Sequence, residues 1–278
     1  MPAFTVTALN QKGGVGKSST TFHLAGTLAS EGHRVLLLDM DPQASLTQAF
    51  IGPDAMRALP ARRSIASLFG DDLTLSPDEL IRPTAFERIA LVPGSIHLTS
   101  YNVPDPHKAP REQQRALAAF VGEVRDQFDF ILVDVPPNLH LCSWAALVAS
   151  DSIVVPLQAE DFGSQGIASV LDSVEAVQAK ANPGLRMLGY LLTMFNPRLA
   201  IHKAYEGTLR ELYGDQVFRT TIPLAADFKE AIAQRKPIAT YKPRGASAKA
   251  IKALADEVAE RASFTVKVSG LGAVREVA

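Results

Sequence analysis

Residues 4–19 read Phe4-Thr5-Val6-Thr7-Ala8-Leu9-Asn10-Gln11-Lys12-Gly13-Gly14-Val15-Gly16-Lys17-Ser18-Ser19, and this stretch decides the fold. Phe4–Leu9 is an apolar run of strand length. Gly13, Gly14 and Gly16 follow, then Lys17 and a stretch that suits an amphipathic helix. A strand that feeds a glycine-rich turn at a helix start aims backbone amides at one point. The helix adds its positive dipole end, so the turn suits anionic oxygens. In such a loop Lys17 reaches β- and γ-phosphates, and the Ser18 hydroxyl binds Mg²⁺. The general pattern G-x-x-x-x-G-K-[ST] asks for glycine at position 11. Gln11 stands there instead, and an additional lysine, Lys12, opens the loop. A lone glycine run is explained by a tight turn; strand, loop, lysine and helix in this order are not.

The chain has 278 residues, 47 % hydrophobic and 21 % charged, which permits one large α/β core and gives no sign of disorder. The formal net charge of −1 excludes an overall cationic coat but not a local basic face. The single cysteine, Cys142, excludes an internal disulfide framework and a multi-cysteine metal site within one chain. It reads as a small buried residue. The six histidines show no ligand spacing; His23 and His140 read as packing or surface residues, and Trp144 as core or dimer interface. No basic start precedes a long apolar stretch, and no run of roughly 18 apolar residues occurs, so a cytoplasmic protein with no membrane association is expected.

Apolar runs alternate with amphipathic stretches, the pattern of a doubly wound, mostly parallel sheet with helices on both faces. Strands are predicted at 4–9, 34–39, 89–92, 130–134, 152–156, 187–193 and 217–222. Helices are predicted at 16–31, 111–127, 141–148, 166–179, 202–213 and 246–262. The proline-rich region 52–110 reads as loops, short helices and one strand. A single domain over 1–262 is expected. The tail 263–278, with two glycines and no clear period, reads as an added strand, a partner-binding segment or a frayed end.

Leu36-Leu37-Leu38-Asp39-Met40-Asp41-Pro42-Gln43 is a buried strand that ends in two carboxylates. Ligands of a parallel sheet sit at the carboxyl ends of strands, so Asp39 and Asp41 arrive on the rim of the glycine loop. Alternation puts both on one side of the strand. Ile131-Leu132-Val133-Asp134-Val135-Pro136-Pro137 is a second such strand, and Asp134 stands where a carboxylate would hold Mg²⁺ directly or through water. Each aspartate alone also suits a turn or a helix cap.

These segments, with Val154-Val155-Pro156-Leu157-Gln158, Leu191-Leu192-Thr193-Met194-Phe195-Asn196-Pro197-Arg198, Thr221-Ile222-Pro223 and Lys236-Pro237-Ile238, resemble the ParA family. These are DNA-segregation ATPases of the deviant-Walker group that also contains MinD. The likeness covers most of the chain, without the long N-terminal helix-turn-helix region of larger plasmid members. It implies ATP and Mg²⁺ as cofactors and an ATP-sandwiched homodimer. Lys12 would cross to the partner's nucleotide, Lys17 would act on the phosphates and Asp41 would orient the attacking water. The likeness assigns phosphate binding to Gly13, Gly14, Val15, Gly16, Lys17, Ser18 and Ser19, further nucleotide contacts to Asn196 and Pro223, and the Mg²⁺ shell to Ser18, Asp39 and Asp134. It further implies slow hydrolysis stimulated by a ParB-like partner, and nucleoid association of the ATP-bound form.

Between Arg198 and Lys252 there are eleven Lys/Arg against five Asp/Glu, a local +6 that leaves −7 for the rest. Such asymmetry suits sequence-independent phosphate contacts, though a solvated face is the plain alternative. Arg198 resembles the family's DNA-contacting arginine. Where the family tends to place arginines after Ile-Pro, this chain has Leu224, Ala225, Ala226 and Asp227. Lys236, Lys242, Arg244, Lys249 and Lys252 are therefore expected to carry DNA contacts instead. The competing classes are a MinD-like membrane switch, a positioner of non-DNA cargo and a small-molecule ligase or kinase. The first needs a basic amphipathic C-terminal helix, whereas Asp256, Glu257 and Glu260 stand against Arg261 here. An iron–sulfur reductase of the nitrogenase iron-protein type needs two cysteines per subunit.

Overall fold

The computed structural model describes residues 2–70, 76–159 and 164–275. Its strands are β1 (Phe4–Ala8), β2 (Val35–Asp39), β3 (Arg82–Pro83), β4 (Ile89–Val92), β5 (Phe130–Asp134), β6 (Ser152–Gln158) and β7 (Arg186–Thr193). Its α-helices are α1 (Lys17–Ser30), α2 (Ser45–Ile51), α3 (Pro53–Arg57), α4 (Pro77–Leu80), α5 (Arg111–Val124), α6 (Leu141–Ala149), α7 (Ser164–Lys180), α8 (Ala200–Tyr213), α9 (Ala226–Ala233), α10 (Ile238–Tyr241) and α11 (Ala246–Arg275). One seven-stranded sheet has the order β3-β4-β2-β5-β1-β6-β7. All its pairings are parallel except β3 with β4. This is the doubly wound fold expected from the alternation of strand and helix patterns.

The strands alternate between two cores. Leu36, Leu38, Ile131, Val133, Ile153 and Val155 pack with α5 and α6 on one face. Val35, Leu37, Phe130, Leu132, Phe4 and Val6 pack with α1, α9 and α11 on the other. Period-two alternation buries both faces, which explains why β2 and β5 read as unbroken apolar runs. β1 sits between β5 and β6, with Ala8 opposite Asp134 and Val154. The order reverses at β1, and ligands gather at such a switch point.

Two expectations change. Residues 217–222 form no strand; isolated bridges join Tyr190 to Val217 and Phe195 to Pro223. The Arg219 and Thr220 amides donate to the Glu257 carboxylate on α11, at 2.9 and 3.0 Å, instead of to a neighbouring strand. At these two positions a buried side chain takes the place of the ladder, while the Phe218 and Ile222 amides still donate to the Tyr190 and Leu192 carbonyls at 2.9 and 2.8 Å. The tail from 263, expected as an added strand, a partner-binding segment or a frayed end, is not a strand among the described residues, because α11 continues to Arg275; residues 276–278 lie outside the described residues. No helix among the described residues is long and apolar enough to cross a membrane.

Candidate active site

The loop after β1 closes on itself. Gly14 and Gly16 take φ of 79° and 88°, in the left-handed region that favours glycine. The Asn10 side chain staples it: Nδ2 donates to the Pro156 carbonyl at 2.7 Å, and Oδ1 accepts from the Lys12 amide at 2.9 Å. Thr193 Oγ1 donates to the Val15 carbonyl at 2.8 Å, and Gln158 Nε2 to the Gly14 carbonyl at 3.2 Å. Side chains from β6 and β7 thus fix the loop's outer carbonyls. A Cβ built at Gly13 or Gly14 meets nothing within 4 Å, so the loop's mouth is open space.

Lys17 is buried, and its Nζ donates to the Asn10 and Lys12 carbonyls at 2.9 and 3.2 Å. Burial lowers its pKa, while the charges of Asp134 and Asp41 oppose that shift. Lys12 is exposed, although its backbone is fixed on both sides.

The three aspartates have separate surroundings. Asp39 and Asp134 are register partners on β2 and β5, and both are fully buried. Neither Asp134 oxygen has a hydrogen-bond partner. Burial raises the Asp134 pKa well above the usual range, the Asp39 charge adds to this, and Ser18 and Lys17 act against it. Asp39 is fully committed: Oδ2 accepts from the Thr47 amide at 2.8 Å and the Thr47 hydroxyl at 2.6 Å, and Oδ1 from the Asp41 amide at 3.2 Å. Burial pushes its pKa up to about 6, against the Thr47 bonds. Asp41 lines the cleft, and its Oδ1 accepts from the Gln43 amide at 2.9 Å. Burial raises its pKa, opposed by the Gln43 amide and Lys17.

An orphaned buried carboxylate beside a serine hydroxyl and an open amide cradle fits a hard dication bound together with phosphates. Ser18 and Asp134 would hold the ion. Asp39, expected in that shell, has its carboxylate occupied by Thr47 and the Asp41 amide, because the turn after β2 folds back over it.

Of the residues singled out in the sequence, Gly13, Gly14, Gly16, Lys17, Ser18, Ser19, Asp41 and Pro223 line one cleft. Val15 is buried, and neither it nor Asn196 is among the cleft's lining residues. Asn196 instead accepts from the Arg198 amide at 3.0 Å. Sequence reasoning missed the opposite wall, formed by Leu224, Ala225, Phe228, Lys229 and Ile232 around α9. A two-turn helix after Ile-Pro carries little periodic signal. His23 and Trp144 are buried, and burial pushes the Cys142 thiol up to about 12, so none of the three presents a reactive group.

A doubly wound parallel sheet, a phosphate loop between its central strand and α1, and aspartates at adjacent strand ends define a P-loop nucleotide hydrolase. A family described as an AAA domain matches residues 4–187. The chromosome-partitioning ATPase Soj of Thermus thermophilus is 37 % identical over 254 residues, 91 % of this chain and 94 % of that protein. The chromosome partitioning protein ParA of Myxococcus xanthus is 33 % identical over 258 residues, 91 % of this chain and 86 % of that protein. Cobyrinic acid a,c-diamide synthase of Mycobacterium smegmatis, solved with an ATP analogue and magnesium, has a TM-score of 0.76 at 27 % identity, covering 91 % of this chain and 93 % of that one. The chain belongs to the ParA family of ATPases. Its cofactors are ATP and Mg²⁺, in keeping with the donor set around Ser18 and Asp134.

Proposed function

We propose that the chain is an ATP-driven DNA-partitioning switch. Its ATP-bound form is a homodimer that binds DNA without sequence preference, and slow hydrolysis, stimulated by a ParB-like partner, resets it. The observation that carries this reading is Lys12. Its amide and carbonyl are fixed inside the loop while the residue is exposed. A lysine held that way suits a second nucleotide across an interface better than its own.

Mg²⁺ bound with ATP supplies charge neutralisation at the phosphates. The loop amides would hold the phosphate oxygens, and Lys17, bonded here to the Asn10 and Lys12 carbonyls, would supply positive charge to them. Asp41, on the cleft wall, orients the attacking water through its carboxylate. Arg198, Lys236, Arg244 and Lys249 are exposed and form the proposed DNA face. Lys242 and Lys252 are more constrained: Lys242 pairs with Asp227 and Glu230 at 2.5 and 2.9 Å, and Lys252 with Glu31 and Asp256 at 2.5 and 3.1 Å. They would contact DNA only after leaving these carboxylates.

The likeness to cobyrinic acid a,c-diamide synthase favours a second reading, a small-molecule ligase. Co-sedimentation with non-specific DNA, with and without ATP and Mg²⁺, separates the two. The switch pellets with DNA only when ATP is present. Equal pelleting in both states, or a stoichiometric small-molecule product, contradicts it. Pelleting with liposomes instead points to a MinD-like switch.

A further inference from the structure

We propose that Thr47 and Gly94 are positioning residues for Asp41, acting through Asp39. The inference rests on the hydrolytic role of Asp41 proposed above. Three elements meet behind the cleft: the end of β2, the first turn of α2 and the loop after β4. Thr47, on α2, is fully buried and uses its hydroxyl in both directions. Oγ1 donates to Asp39 Oδ2 at 2.6 Å and accepts from the Gly94 amide at 2.8 Å. Asp39 in turn accepts from the Asp41 amide, and Asp41 from the Gln43 amide. The chain of contacts therefore runs from Gly94 through Thr47 and Asp39 to the backbone that carries Asp41.

Gly94 must be glycine for this contact. A Cβ there would lie 2.8 Å from Asp39 Cγ, 2.8 Å from the Asp39 carbonyl and 3.0 Å from Oδ1. The backbone of the β4 loop is thus packed directly on the carboxylate, and Asp39 has nowhere to swing. This role accounts for a buried carboxylate that stands beside the orphaned Asp134 yet spends its oxygens on Thr47 and a backbone amide. Water orientation tolerates little displacement: a shift of about 1 Å costs roughly a hundredfold in rate.

Thr47→Val keeps the shape and the amide but removes the hydroxyl. Phosphate release at saturating ATP and Mg²⁺ should fall roughly tenfold to a hundredfold. The KM for ATP and the Mg²⁺ concentration at half-maximal rate should stay within about twofold, because the phosphate cradle and Asp134 are untouched. Thr47→Ser should restore the rate to within about threefold of wild type. If Thr47→Val fails to fold, Gly94→Ala carries the test: it retains the hydroxyl, crowds Asp39 and should give the same split. Wild-type turnover in Thr47→Val, equal loss in Thr47→Ser, or a rise in the Mg²⁺ requirement overturns the proposal; the last outcome would make Asp39 a metal ligand. Asp41→Ala is measured alongside. Full turnover in that variant removes the role of Asp41 and this inference with it. A slow Asp41→Ala beside a normal Thr47→Val removes this inference alone.

Discussion

At the residue scale the account rests on charges placed where water is scarce. Lys17 is buried, bonded to two carbonyls and opposed by two aspartates. Lys12, the loop's other lysine, is exposed and is proposed to serve the partner's nucleotide, which leaves Lys17 as the charge for the chain's own phosphates. Lys17→Ala should weaken ATP binding by roughly tenfold to a hundredfold, as expected for lost charge-assisted bonds; isothermal titration calorimetry reads this directly, and unchanged affinity would remove the phosphate-loop assignment. His23 gives a separate pH dependence. It is fully buried, accepts from the Ile238 amide at 3.0 Å, and burial pulls its pKa from 6.5 to about 4, against a smaller upward pull from the Phe228 backbone. The unfolded chain takes up this proton below the ordinary histidine pKa, and the folded chain does so only near pH 4. Stability should therefore fall as pH drops from about 6.5 to about 4, by on the order of 3 kcal/mol from this residue. Urea melts across that range check it: His23→Gln should flatten the acid slope, and an unchanged slope would contradict the burial argument.

At the scale of elements, the packing of α1 sets the tolerance of the site. Gly26 on α1 faces Pro237, just before α10, and a Cβ at position 26 would lie 2.0 Å from Pro237 Cβ. Gly26→Ala should destabilise the protein by roughly 1–3 kcal/mol despite its gain in helix propensity. Denaturant unfolding measures this, and a neutral or stabilising result would mean that α1 and α10 are not packed as described. Legibility in the sequence follows the same physics. β1, β2, β5 and α1 were readable because burial on both faces and glycine–lysine chemistry leave marks in consecutive residues. The α9 wall was not, since eight residues between Ala225 and Gln234 make too short a period and the wall exists only through contact with the loop. Residues 217–222 carry a strand pattern, but Glu257, far away in sequence, captures the Arg219 and Thr220 amides. The separate fates of Asp39 and Asp134 were equally hidden. Both are strand-terminal aspartates, and the bonds from Thr47 and the Asp41 amide, with Gly94 packed behind, set Asp39 apart.

At the scale of the whole molecule, the charge asymmetry and the cleft belong to one proposed switch. Arg198, Lys236, Arg244 and Lys249 are each exposed, and in the proposed switch they supply the DNA contacts of each subunit, doubled in the dimer. Affinity for DNA should then fall steeply with salt and depend little on sequence. Arg198→Glu, and separately Lys249→Glu with Lys252→Glu, should weaken DNA binding with ATP affinity unchanged, and loss of one phosphate contact should flatten the salt slope by about one unit. Full DNA binding by both variants would move the footprint elsewhere. The most direct test of the central claim is the association state of Lys12→Ala. In sedimentation velocity with a non-hydrolysable ATP analogue and Mg²⁺, the wild-type chain should run as a dimer. The variant should bind the analogue and run as a monomer. A nucleotide-dependent dimer of undiminished strength in Lys12→Ala, or a wild-type chain that stays monomeric with nucleotide bound, would contradict the account.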